Sequence, residues 1–127
     1  MSRYDLLYLK DMTTACEKIL ACLEGHDRPT LEADWMRMDA VLRNLEVLGE
    51  AAKGVSEEVR QRHPGIPWRK IAAMRDIVIH RYLGLDMEAI WDAAKNRVPQ
   101  LLEQLRRIGQ QADTSEEGGK KGQGVGS

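Results

Sequence analysis

Residues 30–55 read TLEADWMRMDAVLRNLEVLGEAAKGV. Within them Leu31, Trp35, Met38, Leu42, Leu45, Gly49 and Ala52 recur at spacings of 4, 3, 4, 3, 4 and 3. That rhythm belongs to a helix buried along one side. Val41, Leu48 and Val55 add a flanking row, so the apolar face is wide enough to meet more than one neighbouring helix. Thr30 is a plausible N-cap, and Gly54 lies near the C-terminal end.

Upstream, residues 3–24 carry Tyr8, Met12, Ala15, Ile19 and Cys22 at helical spacing, widened by Tyr4, Leu7 and Leu23. Gly25 and HDRP then make a turn. Downstream, SEEVRQRHPGIP (56–67) reads as a loop with room for a short helical turn at 56–62. Pro67 suits the start of a third helix over roughly 67–80. LGLD interrupts the pattern, and Asp86 is placed to cap a fourth helix with Ile90, Ala93 and Ala94 inside. Pro99 falls within continuing periodicity (Val98, Leu101, Leu102, Leu105, Ile108), which predicts a kink or break near Asn96–Val98. Residues 1–112 are thus expected to form one all-α, up-and-down bundle of four to five helices. Residues 113–127, glycine-rich with a single aliphatic side chain, are expected to be disordered.

Composition agrees. The chain has 127 residues, 43% hydrophobic but only 5% aromatic with no Phe, so its core must come from Leu, Ile, Val, Ala and Met. No apolar run is long enough to span a membrane, and the N-terminus lacks a signal-peptide core. Two cysteines are too few for a disulfide framework; Cys16 and Cys22 read as buried small hydrophobes in a reducing, cytoplasmic setting. The net charge of −1 hides an uneven distribution. Residues 1–58 carry −5, residues 59–82 carry +5 and residues 83–127 carry −1. The basic stretch holds Arg60, Arg62, Arg69, Lys70, Arg75 and Arg81 against one acid, Asp76. It would attract an anionic partner locally, or pair with the acidic first half.

Within that stretch Arg75, His80 and Tyr82 follow one another as Arg-x4-His-x-Tyr. Arginine offers a permanent charge and a planar fork for phosphate. Histidine is the side chain best suited to move protons near neutral pH. Together they suit metal-free cleavage of RNA: His80 moves the proton of the 2′-hydroxyl or of the leaving oxygen, and Arg75 holds the charge building on phosphorus. Arg75 and His80 lie about 140° apart on a regular helix, so a shared cleft requires the helix to end near His80. The alternative is a plain helix end, with Arg75 in a salt bridge, His80 as a C-terminal cap and Tyr82 over the core. Glu50, beside the apolar seam, is a candidate for partial burial and pairing with a base of the third helix. Trp68 and Trp91 read as core or interface anchors. No zinc spacing, phosphate-cradling loop or nucleophile elbow is present, so no metal or cofactor is expected.

Three pieces, RNLEVLGEAAKGVS, HPGIPWRKIAAMRDIVIHRY and GLDMEAIWDAAKNRVPQLLEQL, resemble in order and spacing the HEPN superfamily. The resemblance is to the HepT-like toxins that accompany minimal, MntA-type nucleotidyltransferase antitoxins, and it covers residues 3 to about 108. It implies a metal-independent ribonuclease toxin of a type VII-like toxin–antitoxin module, with Arg75 and His80 catalytic. It also implies a two-fold homodimer with both motifs in one cleft, an RNA substrate, and neutralisation by adenylylation of Tyr82 by the partner nucleotidyltransferase. Many members have Asn where this chain has Asp76; the extra carboxylate disfavours phosphate slightly but could orient Arg75 or His80. Arg69 and Arg81 are candidate supporting cations. Two other readings use the same residues: a non-catalytic HEPN module that holds a nucleotide or nucleotidyltransferase, and a helical dimerisation protein with an incidental motif.

Overall fold

A computed structural model describes the backbone of residues 1–82 and 86–125 and the side chains of residues 1–80 and 86–112. The described residues form an all-α bundle. Its helices are α1 (Arg3–Leu23), α2 (Arg28–Ala33), α3 (Trp35–Gly54), α4 (Glu57–Arg62), α5 (Trp68–Ala72), α6 (Met74–Tyr82), α7 (Met87–Asp92) and α8 (Val98–Val125), with a π-helical segment, Ala93–Arg97, before α8. α3 is the hub, packing against α1, α2, α5 and α6, while α8 closes the other side of α1. The core is aliphatic, from Met12 and Ile19 through Leu45 and Leu48 to Val98 and Leu105. The tail expected to be disordered at 113–127 lies outside the residues whose side chains are described.

Two helices expected to be continuous are broken, and the break expected near Asn96–Val98 is present. The long second helix starts at Trp35, capped by Asp34, whose carboxylate accepts from the Arg37 N–H at 3.1 Å. Thr30 is not its cap; it sits in the first turn of α2, exchanging hydrogen bonds with the cap Asp27. Trp35 therefore leaves the seam and is 69% exposed, and Tyr4 and Leu7 likewise face outward instead of widening the stripe of α1. The third helix is split at Ala73 and runs on through Tyr82, so His80 is not its last residue. The break before Pro99 takes the form of the π segment. Pro99 has no N–H, and its ring would meet the carbonyl of residue 95 in a regular helix. The widened turn relieves this, with the Val98 N–H donating to the Ala93 carbonyl five residues back. Asp86 does cap α7, in the left-handed conformation at φ 44°, accepting from the Ala89 N–H at 3.3 Å.

The one buried charged residue among those described is Asp5, 4% exposed. It lies in the first turn of α1, in a capping box with Ser2. The same carboxylate accepts from the Ser56 N–H at 2.8 Å and its hydroxyl at 3.0 Å. Ser56 in turn caps α4. One carboxylate thus ties the N-termini of two helices that are 51 residues apart in sequence. Burial pushes the Asp5 carboxyl up, but the hydrogen bonds from Ser56 and Ser2 together outweigh it and hold it below 3.8. A lowered carboxyl stabilises the fold above its unfolded value and loses that contribution as pH falls through the folded one. Asp5→Asn should therefore cost about 1–3 kcal/mol in urea unfolding at pH 7. The gap between variant and parent should close as pH drops below 3.8. An equal gap at both pH values would remove the charge from the explanation.

Candidate active site

Gly49 sets the position of the candidate site. A glycine inside a helix costs about 1 kcal/mol against alanine, so a buried one needs a packing reason. Here a Cβ at position 49 would lie 3.0 Å from the Arg75 backbone nitrogen and 3.1 Å from the Ala72 carbonyl oxygen. The missing side chain lets the junction of α5 and α6 rest directly on α3. That junction is the break at Ala73, whose carbonyl accepts from the N–H groups of Asp76 at 2.9 Å and Ile77 at 3.3 Å.

The next residue of α3, Glu50, then meets Arg75: Oε1 to Nη1 is 3.0 Å. Glu50 pairs with a base of the third helical region, and the two side chains are 51% and 43% exposed. Both groups are open to solvent, and an exposed pair of this kind contributes under about 1 kcal/mol. A phosphate arriving at Arg75 can displace Glu50 at small cost, while in its absence the carboxylate keeps the guanidinium at a fixed place on the surface.

The remaining motif residues are arranged by α6. Because the helix is regular through Tyr82, position 82 falls on the Arg75 strip, two turns along, about 10 Å further and about 20° round. Asp76 and His80 share a second strip, one turn apart, and both are exposed. Neither makes an ion pair or side-chain hydrogen bond among the described residues. Within one chain Arg75 and His80 present two neighbouring strips, and α6 ends at Tyr82, two residues past His80. The side chains of Arg81 and Tyr82 lie outside the described residues.

The rest of the basic stretch divides. Arg60 donates to the carbonyls of Ala52, Lys53 and Val55 at 3.3, 2.9 and 3.0 Å and so closes the C-terminus of α3. Arg62 pairs with Glu58 at 2.9 Å. Arg69 and Lys70 on α5 are exposed, without an ion pair among the described residues. Trp68 is buried, donating its indole N–H to the His63 carbonyl at 3.0 Å. Trp91 packs half-buried against the core. Cys16 is buried, and burial pushes its thiol up to about 12, which makes it inert; Cys22 is only half-buried. Among the described residues no group of three or more His, Cys, Asp or Glu side chains could hold a metal, and no helix is long and apolar enough to cross a membrane.

The family profile described as "Ribonuclease HepT-like" matches residues 12–108. The chain belongs to this family of the HEPN superfamily. It is 36% identical over 110 residues to the "Probable ribonuclease HepT" of Thermococcus cleftensis, covering 84% of this chain and 100% of that one. It is 34% identical over 101 residues to "Putative RNase TTE0752" of Caldanaerobacter subterraneus, covering 80% and 90% respectively. The "Gamma-glutamylcyclotransferase and putative RNase MJ0434" of Methanocaldococcus jannaschii is 38% identical over 111 residues, which span 48% of its length. No solved structure matches.

Sequence reasoning treated Gly49 as one more seam position. The available signal was a small residue in a row of large ones, followed at once by an acid. Gly49→Ala should lower stability by about 1–3 kcal/mol, as overpacking against a neighbouring backbone does. Guanidinium unfolding of the purified variant measures this; an unchanged midpoint would mean that the close approach is not under steric constraint.

Proposed function

We propose that this chain is a cytoplasmic, metal-independent endoribonuclease and the toxin of a two-gene module. The observation that carries the reading is Arg75-x4-His80-x-Tyr82 on one exposed helix of a HepT-like bundle, with Arg75 held in the open by Glu50. The 2′-oxygen of the substrate attacks phosphorus, a cyclic phosphate forms and the bond to the 5′-oxygen breaks. A His80 imidazole takes the 2′-hydroxyl proton, and an imidazolium supplies one to the leaving oxygen. Arg75, released from Glu50, neutralises the charge on the phosphoryl oxygens. Asp76 stands one turn before His80 without bonding to it; Arg69 and Arg81 extend the cationic surface for the RNA backbone.

Two strips on one helix become a single cleft when a second copy is laid against them. A two-fold homodimer, the commonest closed assembly, supplies two arginines and two histidines to one groove. Ile79, 45% exposed between the strips, gives the pairing an apolar contact. His80→Ala and Arg75→Ala should each lower RNA cleavage by about 10²–10⁴-fold while leaving helicity and a dimer mass in light scattering unchanged. Cleavage by the parent should survive excess chelator. Activity persisting in both variants, loss with chelator, or a monomer mass at micromolar concentration would each refute the corresponding part.

Control follows from register. Position 82 shares the strip of Arg75, so AMP esterified there by a partner nucleotidyltransferase would place a phosphate and a nucleoside over the RNA path. Co-expression with such an enzyme should raise the mass of the chain by one or more AMP units. Tyr82→Phe should abolish the increase and escape inhibition. An unmodified yet neutralised chain would show simple steric capping instead.

A further inference from the structure

A second feature of the α5–α6 region faces away from Glu50. Met74, one residue before Arg75, lines a cavity of about 370 Å³ between α5, the π segment and the start of α8. Its apolar floor is Ile71, Met74 and Leu101, all buried. Its rim carries Lys70 from α5, Arg97 from the π segment and Gln104 from α8. Among the described residues no acidic side chain lines it, whereas the groove beside Tyr8 carries Asp11, Glu46 and Glu50.

The polar groups have unused capacity. Lys70 has no ion pair among the described residues. Arg97 pairs through Nε with Asp92 at 3.4 Å, a long contact between two half-exposed side chains that an incoming anion can outcompete. Gln104 donates its Nε2 to the Gly65 carbonyl at 3.0 Å, which fixes the amide and leaves its oxygen as an acceptor. The π segment that relieves Pro99 is what carries Arg97 to this rim. A site of this size with an apolar floor, a fixed amide acceptor and two cations suits a flat, hydrogen-bonding ring joined to a phosphate.

We propose that this cavity binds a phosphorylated nucleoside, its base over Ile71, Met74 and Leu101 and its phosphate between Lys70 and Arg97. The ligand is either a free mononucleotide or one nucleotide of a bound RNA. The inference rests on the chemistry of this cavity and not on cleavage at Arg75 and His80.

The test is calorimetric titration of the full chain with 5′-AMP, adenosine, inorganic phosphate and a 2′-O-methyl RNA, which cannot be cleaved. It is repeated on the Lys70→Ala/Arg97→Ala double variant and, as a control for lost charge, on Lys10→Ala in α1. All three replaced residues are exposed, so the fold is preserved. A free-nucleotide site predicts that AMP binds more tightly than adenosine or phosphate and at least ~10-fold more weakly to the double variant. An RNA subsite predicts no AMP binding but a similar loss for the RNA. In both cases Lys10→Ala behaves as the parent. Equal binding by parent and double variant, a loss matched by Lys10→Ala, or no binding of either ligand overturns the proposal. RNA cleavage by the parent is scored separately. A chain that cleaves RNA while the double variant binds normally refutes this inference alone, and a chain that binds AMP here but cleaves nothing refutes the ribonuclease reading alone.

Discussion

The backbone of the α5–α6 junction rests on Gly49, and the candidate site depends on that contact. Any side chain at position 49 would hold Arg75 away, because the obstacle is main chain and not the movable end of a side chain. With the contact made, the chain's next residue, Glu50, is in reach of the Arg75 guanidinium at 3.0 Å. Everything else on α6 follows from helical geometry. Positions 75 and 82 take one strip and Asp76 and His80 the next, while Met74 and Val78 anchor the helix in the core. A surface ion pair contributes little stability, so its value here is positional: it fixes a charge that remains free to change partner.

The positive bias of residues 59–82 is smaller at the surface than its formal +5 suggests. Arg60 is consumed by the carbonyls at the end of α3, and Arg62 and Arg75 are paired. Arg69 and Lys70 stay without an ion pair among the described residues, Arg75 can exchange Glu50 for an anion toward α3, and Arg97 from outside the stretch joins Lys70 toward α8. A polyanion lying along α5 and α6 would encounter cations on either side of Met74. A single phosphate would meet Lys70 and Arg97 at the rim by the π segment.

Periodicity made the bundle legible, because burial of one helical face is what repeats of 3 and 4 record. Residues such as Met12, Met38, Leu45, Ile90 and Leu105 are all buried where that pattern puts them. Pro99 foretold a break because a missing N–H has only a few remedies, though not that the remedy would be a π turn spanning Ala93–Arg97. What the pattern could not carry were effects that act across the fold. Trp35 fits the rhythm of the seam but precedes the real packing surface, since Asp34 restarts the helix there. Asp5 looks like an ordinary first-turn acid until Ser56, far along the chain, closes over it. The motif residues could be named from their order, and Glu50 was a candidate partner for a base of the third helical region from its place beside the seam. Their division into two strips follows from the roughly 140° between Arg75 and His80 on a regular helix, and α6 ends at Tyr82, just before the LGLD break.

The most direct test is a crystal structure of the chain with a 2′-O-methyl RNA that spans its cleavage site. Arg75 should have left Glu50 for the scissile phosphate, and a His80 ring nitrogen should lie within about 2.6–3.2 Å of the 2′-oxygen or the 5′-oxygen. RNA bound elsewhere, with Arg75 still on Glu50 and both histidines remote from the phosphate, would contradict the assignment of this helix as the catalytic element.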